Sequence, residues 1–241
     1  AQCDIIHICV SGSPQVEAVI CGAVGIAENA NSGAIVIDCS TADPVSTVQL
    51  AEILAHKGIA MADAPLGGTP ANAADGTLAT MVGADEATFV RIEPVLNCWA
   101  SNIAHLGPVG LGHKMKLINN FMAMGNAALL AEAIALARKA GLSVEQFHEV
   151  IGSSRMHNGF YDTFMKWTLE RDENAHRFTI TNAHKDMRYL SNLATSVGAV
   201  NPMQSAIRNN FGAMEAAGQG DLFVPMLADF IAATNGLDSE K

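Results

Sequence analysis

The stretch GLGHKMKLINN, residues 110–120, marks the point where the character of the sequence changes. Upstream of it, short apolar runs typical of strands alternate with helical patterns, whereas only helical patterns follow it. Such alternation is typical of a parallel sheet covered by helices. We therefore predict an α/β domain over residues 1–108 and an all-α domain over residues 109–241, with this stretch opening the helix that joins them.

Two strand–helix units open the chain. The apolar run DIIHICVSG at residues 4–12 predicts a strand, and helical spacing follows over residues 13–30. A second strand, AIVIDCST at residues 34–41, precedes a helix that Asp43 caps and Pro44 opens. Downstream, helical spacing predicts helices at residues 113–139, 143–151, 179–196 and 203–217.

The composition bears on the class of partner. The chain has 241 residues, of which 49% are hydrophobic, so it can bury a sizeable core. Its 14 basic and 24 acidic residues give a net charge of -10, and no block of Lys or Arg interrupts this excess of acid. Because such a chain repels polyanions, no nucleic acid partner is expected.

The most apolar window, residues 121–137, contains Gly125, Asn126 and Glu132. Polar residues within about one membrane-span length favour a buried core helix, so no membrane partner is expected. No charged segment followed by an apolar run opens the chain, as it would in a secretory leader. The five cysteines include no CxxC pair and four lie in apolar runs, so we expect buried thiols and a reducing, cytoplasmic location.

The joining helix carries the first candidate site. If it begins near Gly112, then Lys116, Asn119 and Asn120 share one face of its second turn. Asparagine is a poor helix former, and an ammonium with two amides suits a small molecule bearing hydroxyl or carbonyl oxygen. From these residues alone, a solvated helix start is an equally good interpretation. A phosphate loop is excluded because the lysine does not directly follow the second glycine.

A second glycine-rich segment, APLGGTPANAADGTL at residues 64–78, follows a predicted strand. Adjacent glycines allow backbone N–H groups to form an anion-binding nest, and Thr69 adds a hydroxyl. An ordinary tight loop explains the same residues. Its position favours a binding role, because ligands of open α/β sheets bind where parallel strands end.

Four motifs follow one another along the chain: DCST at residues 38–41, DAPLGGTPANAADGTL at 63–78, GLGHKMKLINN, and FTITNAHKD at 178–186. Together they resemble the β-hydroxyacid dehydrogenases, the family of 3-hydroxyisobutyrate dehydrogenase, tartronate semialdehyde reductase and sulfolactaldehyde reductase. The resemblance covers essentially the whole chain. It implies a Rossmann-like doubly wound parallel sheet followed by an all-α domain. It also implies an NAD- or NADP-dependent oxidoreductase of a small 3-hydroxy acid or its semialdehyde, without a metal site.

The resemblance assigns roles to the two candidate segments. Lys116 matches the catalytic lysine, and Asn120 matches the residue that holds the substrate beside it. Gly67, Gly68 and Thr69 match the loop that grips the acidic group of the substrate, and we add Asn119 as a further substrate contact.

The resemblance also implies a set of cofactor contacts. Plainer interpretations exist for two of them, since Phe178 can simply fill core and Lys185 can form a surface charge pair with Asp186. The implied cofactor-binding residues are Val10, Ser11, Thr41, Phe178 and Lys185.

Two features depart from the family pattern. The opening strand and GxGxxG turn of relatives do not precede Ala1, so we expect that about 60 residues, about two βα units, are missing. Both NAD and NADP therefore stay open. In addition, Gly67 lacks a hydroxyl and Gly68 lacks a guanidinium that relatives carry nearby, which favours a short hydroxy acid or semialdehyde over a sulfonate.

Two alternatives to this function stay open. One is a truncated, inactive relative that serves as an oligomerisation module, and the other is a semialdehyde reductase of the sulfolactaldehyde type. Relatives pair through their all-α half, and the apolar composition of that half here favours a homodimer or homotetramer.

Overall fold

The computed structural model describes residues 3–238, which form two compact units. The first contains the described residues up to Asn119 together with Tyr189–Ala199. The second contains Asn120–Arg188 and the described residues from Val200 onwards. The compact units thus divide beyond the domain boundary predicted near residue 108, because the first turns of the joining helix are bonded to the sheet of the first unit.

The first unit is built on a six-stranded sheet with the order β1-β2-β3-β5-β4, and β6 pairs with β5. β1, β2 and β3 are parallel, and β6 is parallel to β5. The predicted α/β class is confirmed, but β5 runs antiparallel to β3 and β4, so the sheet is mixed rather than wholly parallel. The chain reverses between β4 and β5 through one short helix, without the crossover that a parallel pair requires. The strands are β1 Ile5–Ile8, β2 Ile35–Asp38, β3 Ala60–Asp63, β4 Leu66–Gly67, β5 Leu78–Gly83 and β6 Ala100–Gly107.

Five helices accompany these strands. The predicted continuous helix over residues 13–30 is broken at Gly22, where a Cβ would lie 2.3 Å from the carbonyl oxygen of Ala18 as the chain leaves the helix. Asp43 caps α3 through the backbone N–H of Val45, as its position before Pro44 predicts. The helices are α1 Ser13–Cys21, α2 Ile26–Asn29, α3 Pro44–Ala55, α4 Pro70–Ala74 and α5 Glu86–Leu96.

The core of the first unit lies on both faces of the sheet. Along β2, Val36 packs into one apolar cluster with Ile20 and Leu54, whereas its neighbours Ile35 and Ile37 pack into another. Successive side chains of a strand point to opposite faces, and all four residues of β2 are buried. A central strand covered on both faces is typical of α/β folds. In such folds, ligands bind at the carboxyl ends of the strands and the loops that follow them.

The second unit is helical. Its first helix, α6, extends from Leu111 to Lys139 and begins in the first unit. The side chains of Ser143 and Gln146 form a capping box at the start of the next helix, α7. Two helices, α8 and α11, were not predicted, and α10 ends at Met214, where a π-helical turn replaces the predicted continuation to residue 217. The remaining helices are α7 Val144–Gly152, α8 Gly159–Glu170, α9 Ile180–Ser196, α10 Pro202–Met214 and α11 Leu227–Thr234.

α6 is long and apolar enough to cross a membrane by length and composition alone. In the structure, 39% of its most apolar window is buried within the protein. The buried side chains recur at helical spacing, so one stripe of α6 packs into the protein, as expected of a core helix. In the second unit this stripe consists of Met124, Ala127, Ala128, Ala131, Ile134 and Ala135.

The cysteines differ from their prediction. Only Cys39 is buried, and burial raises the pKa of its thiol to about 12. The expectation of buried thiols is wrong for the other four, whereas Cys39 packs into the same apolar cluster as Ile35 and Ile37. The exposed cysteines are Cys3, Cys9, Cys21 and Cys98.

Candidate active site

Lys116 lies in the second turn of α6 and its side chain is partly buried. Its Nζ donates a hydrogen bond of 2.7 Å to the backbone carbonyl oxygen of Leu66, the first residue of β4. Leu66 directly precedes Gly67 and Gly68. The structure therefore brings the predicted catalytic amine to the predicted substrate loop and contradicts a solvated start of the helix.

The beginning of α6 is held by a buried carboxylate at the end of β3. Oδ1 of Asp63 accepts the backbone N–H of Gly110 at 2.6 Å, and Oδ2 accepts that of His113 at 2.6 Å. A Cβ on Gly112 would lie 2.3 Å from the carbonyl oxygen of Met81, so the helix approaches the sheet too closely for any side chain there. This close approach explains Gly112, whereas Gly110 has a φ of 93°, a conformation that favours glycine.

The protonation of Asp63 reflects its surroundings. Burial raises the pKa of this carboxyl group, while the nearby His113 and the two backbone N–H groups oppose the rise. Neither Asp63 nor His113 was singled out as a site residue from the sequence. The signal that could have identified Asp63 is its place directly after a buried strand, where the polar side chains of α/β sites commonly lie.

The substrate loop runs through Gly67, Gly68 and Thr69. Gly68 has a φ of 122°, a conformation that favours glycine. Thr69 is the N-cap of α4: its hydroxyl donates to Oδ1 of Asn72 at 2.7 Å and accepts the backbone N–H of that residue at 3.3 Å. The structure thus gives the hydroxyl of Thr69 a capping role, and its predicted contact with substrate stays a prediction.

Three predicted cofactor residues lie where β1 and β2 end. The strands are parallel neighbours, so the loops with Val10, Ser11 and Thr41 follow adjacent carboxyl ends. The backbone N–H of Val10 donates to Oγ of Ser40 at 3.0 Å, which joins the two loops. Ser11 is exposed and Thr41 is half-buried, and the cofactor roles of these residues stay predictions.

Asn120 is the first residue of the second unit and is buried. Its Nδ2 donates to Oδ2 of Asp186 at 2.7 Å, and Asp186 is fully buried. Nζ of Lys185 lies 3.3 Å from Oδ1 of the same carboxylate, so a half-buried lysine pairs with a buried aspartate. Asp186 was missed as a site residue, although the motif FTITNAHKD ends on it. Asn119, unlike the neighbouring Asn120, is exposed.

Phe178, the other predicted cofactor residue of the second unit, is half-buried. Its backbone carbonyl accepts the N–H of Val224 at 2.9 Å, beside an isolated bridge between Thr179 and Phe223. These contacts hold the segment that leads into α9. Lys185 and Asp186 lie in the first turns of that helix. The cofactor roles of Phe178 and Lys185 stay predictions.

Two family models together match most of the chain. One, described as the NAD binding domain of 6-phosphogluconate dehydrogenase, matches residues 1–107, and the other, described as NAD-binding of NADP-dependent 3-hydroxyisobutyrate dehydrogenase, matches residues 110–227. The 3-sulfolactaldehyde reductase of Escherichia coli is 32% identical over 84% of this chain and 68% of its own length. The chain belongs to the 3-hydroxyisobutyrate dehydrogenase-like family.

Two further proteins are similar to this chain in sequence or structure. The 2-(hydroxymethyl)glutarate dehydrogenase of Eubacterium barkeri is 36% identical over 78% of this chain, and the chain spans 62% of that protein's length. A solved 3-hydroxyisobutyrate dehydrogenase from Mycobacterium tuberculosis, in complex with L-serine, superposes with a TM-score of 0.84 at 26% identity. That superposition covers 96% of this chain and 80% of the other. Members of the family thus share the α/β and helical parts seen here, and both matched family models are NAD(P)-binding domain types.

Proposed function

We propose that the protein is an NAD- or NADP-dependent dehydrogenase of small 3-hydroxy acids that also reduces the corresponding semialdehydes. The observation that carries this proposal is the hydrogen bond from Nζ of Lys116 to the carbonyl oxygen of Leu66. It directs a proton-bearing group to the substrate loop of a chain that belongs to a dehydrogenase family. Such a group is what hydroxyl oxidation and carbonyl reduction both require.

The residues of the chain divide the chemical tasks. When bound, the nicotinamide cofactor supplies or accepts the hydride. During reduction, Lys116 donates a proton or a strong hydrogen bond to the carbonyl oxygen, and during oxidation it takes the proton back. Asn120 orients that oxygen from one turn further along α6, and the buried Asp186 fixes the amide of Asn120.

The cofactor and the acid group of the substrate are assigned to loops. We place the nicotinamide end of the cofactor against Val10, Ser11 and Thr41, with Phe178 and Lys185 as further contacts. The acid group of the substrate is assigned to the backbone N–H groups of Gly67 and Gly68, where the φ of Gly68 presents the main chain outward.

The glycines also bear on the substrate class. A guanidinium binds a sulfonate with two parallel hydrogen bonds, and neither Gly67 nor Gly68 can supply one. A carboxylate-bearing hydroxy acid or semialdehyde is therefore our first choice. A reductase of the sulfolactaldehyde type is the second candidate, because the Escherichia coli relative of that name matches 84% of the chain.

We also propose that the protein is a homodimer or homotetramer. On α6, Met122, Leu129 and Leu136 recur every seventh residue and are 66%, 62% and 70% exposed. A seven-residue repeat places them on one face of the helix, as in helix pairs that associate through a hydrophobic seam. A second copy of the chain is the occupant that this seam fits. The proposed location is the cytoplasm.

A cofactor titration combined with a substrate panel tests the function. We expect NADH or NADPH fluorescence to change on binding, and its absorbance to fall when short semialdehydes with a carboxylate are added. A parallel panel with a sulfonate in place of the carboxylate should react more slowly. Absence of both cofactor binding and turnover at saturating cofactor would favour the oligomerisation module instead.

A further inference from the structure

Helix α1, which follows the cofactor loop at the end of β1, begins without a side-chain cap. It starts at Ser13, directly after Gly12, which has no side chain. The backbone N–H groups of Gln15 and Val16 both donate to the carbonyl oxygen of Gly12, and Pro14 has no N–H. The N–H of Ser13 therefore needs an acceptor from another part of the chain.

A tyrosine of α9 supplies that acceptor. The N–H of Ser13 donates to Oη of Tyr189 at 3.0 Å, although 176 positions separate the two residues. Tyr189 lies in the part of α9 that belongs to the first unit, Tyr189–Ala199. Because an N–H at a helix start is costly to leave without an acceptor, this hydroxyl stabilises the first turn of α1.

The helix after the neighbouring strand is bonded to the same face of α9. Asp43 is the N-cap of α3, and its Oδ1 accepts the N–H of Val45 at 3.0 Å. Its other oxygen, Oδ2, accepts a hydrogen bond of 2.8 Å from Nδ2 of Asn192. Asn192 follows Tyr189 by three residues, so the two side chains share one face of α9. That face thus bonds the starts of both α1 and α3.

A third hydrogen bond joins the two helix starts to each other. The N–H of Asp43 donates to Oγ of Ser13 at 2.7 Å, and Ser13 is buried. Hydrogen bonds therefore lead from Tyr189 through Ser13 and Asp43 to Asn192. Because both ends of this series lie on α9, the four residues form a closed ring with that helix. We call it the α9 ring.

The α9 ring lies close along the chain to the residues assigned to the cofactor. Ser11 precedes Ser13 by two residues, and Thr41 precedes Asp43 by two residues. Both loops are short, since four residues separate β1 from α1 and five separate β2 from α3. Each loop is fixed by a strand at one end and by the α9 ring at the other, which leaves it little conformational freedom.

We infer that Tyr189 and Asn192 are positioning residues: by bonding the starts of α1 and α3, they preorganise the two loops that receive the nicotinamide end of the cofactor. The inference rests on the proposed function for the identity of the ligand. Each side chain acts through Ser13 or Asp43 and needs no contact with the cofactor. When a bond of the ring is lost, apparent affinity falls with the fraction of molecules whose loops are in place.

Amide hydrogen exchange tests the α9 ring without reference to activity. In Tyr189→Phe the N–H of Ser13 loses its acceptor, and we expect it to exchange about 3- to 10-fold faster, as for the loss of one net hydrogen bond. In Asn192→Asp, which keeps the shape of the side chain, a carboxylate faces that of Asp43, and the N–H of Asp43 should exchange faster by a similar factor.

Thr195→Ala is the matched control for both variants. Thr195 also lies on α9, but its hydroxyl donates to a carbonyl oxygen of its own helix at 2.9 Å. This variant should leave the exchange of Ser13 and Asp43 unchanged. If the exchange rate stays unchanged in Tyr189→Phe or in Asn192→Asp, the inference is overturned.

Cofactor kinetics tests the positioning role. We expect Tyr189→Phe and Asn192→Asp each to raise KM for the cofactor by about 3- to 10-fold, while kcat at saturating cofactor stays within about twofold of the parent. Partial unfolding would instead lower kcat and leave KM unchanged, because it removes active molecules rather than affinity. The double variant should lose less than the product of the two single losses, since both bonds act through one ring.

The outcomes separate this inference from the proposed function. Faster exchange with an unchanged KM would show that the α9 ring serves only stability, which overturns the positioning role. A parent chain that binds neither NADH nor NADPH would overturn the proposed function and the positioning role with it. In that case the exchange rates would still decide whether the α9 ring exists.

Discussion

The two ends of α6 are built on opposite principles. Its first turns, up to Asn120, bury polar groups: His113 and Asn120 are hidden from solvent, and the helix start is bonded to the carboxylate of Asp63. From Met122 onwards the same helix buries a stripe made mostly of alanines and exposes Met122, Leu129 and Leu136. One continuous element thus carries the proposed catalytic groups at one end and apolar packing at the other.

The two ends of α6 also differ in helix propensity. Glycine and asparagine weaken a helix, and they concentrate in the first turns, where hydrogen bonds and close approach to the sheet compensate for them. Alanine and leucine, which are among the strongest helix formers, predominate in the remaining turns. The functional end of α6 is therefore the end that its own propensities stabilise least.

The sharpest test of the comparison uses two lysines of the functional end. Lys116→Ala removes the proposed proton donor, and we expect kcat to fall by about 10²- to 10⁴-fold with little change in folding. Lys114→Ala removes an equal charge two residues earlier and should stay within about twofold. Steady-state kinetics with the best semialdehyde measures both. A Lys116→Ala variant within tenfold of the parent would contradict the assignment.

The packing end is tested through association. Leu129→Glu places a charge in the proposed seam and should reduce self-association strongly, because a buried leucine contributes about 1.5 to 3 kcal/mol and the charge adds a desolvation cost. Val200→Glu is the matched control, since Val200 is 95% exposed and lies outside α6. Sedimentation velocity of both variants at several concentrations reports the mass. An unchanged mass for Leu129→Glu would show that the exposed stripe is not the interface.

One glycine at each end of α6 tests how closely the helix is packed there. A Cβ on Gly112 would meet backbone oxygens of Met81 at 2.3 Å and Asp63 at 2.7 Å, so Gly112→Ala should destabilise the fold by about 3 kcal/mol. A Cβ on Gly125 would meet only the flexible tip of Ile207, at 3.3 Å. Gly125→Ala should therefore be neutral or stabilise by up to about 1 kcal/mol. Denaturant unfolding of both variants decides, and similar costs at the two sites would remove the distinction.

Much of this arrangement follows from the sequence. The periodicity and caps predicted the α/β part and the joining helix, because these depend on residues close together in the chain. Helical spacing grouped Lys116 with its neighbouring amides, but only the family resemblance chose it as the candidate amine. The direction of β5 and the roles of His113, Asp63 and Asp186 did not follow, because each depends on a partner far along the chain. Asp63, for example, bonds residues 47 and 50 positions away, a pairing that no local pattern contains.

The division between the two compact units falls between adjacent asparagines, which gives the smallest and most local test. Asn120 donates to the buried carboxylate of Asp186, so Asn120→Ala leaves that oxygen without its amide and should cost about 1 to 3 kcal/mol of unfolding free energy. Asn119 is exposed, so Asn119→Ala should stay within about 0.5 kcal/mol. If Asn119 contacts substrate as the sequence predicts, its variant should raise KM while leaving stability unchanged. Should Asn119→Ala instead destabilise as much as Asn120→Ala, the polar end of α6 would extend further around the helix than burial indicates.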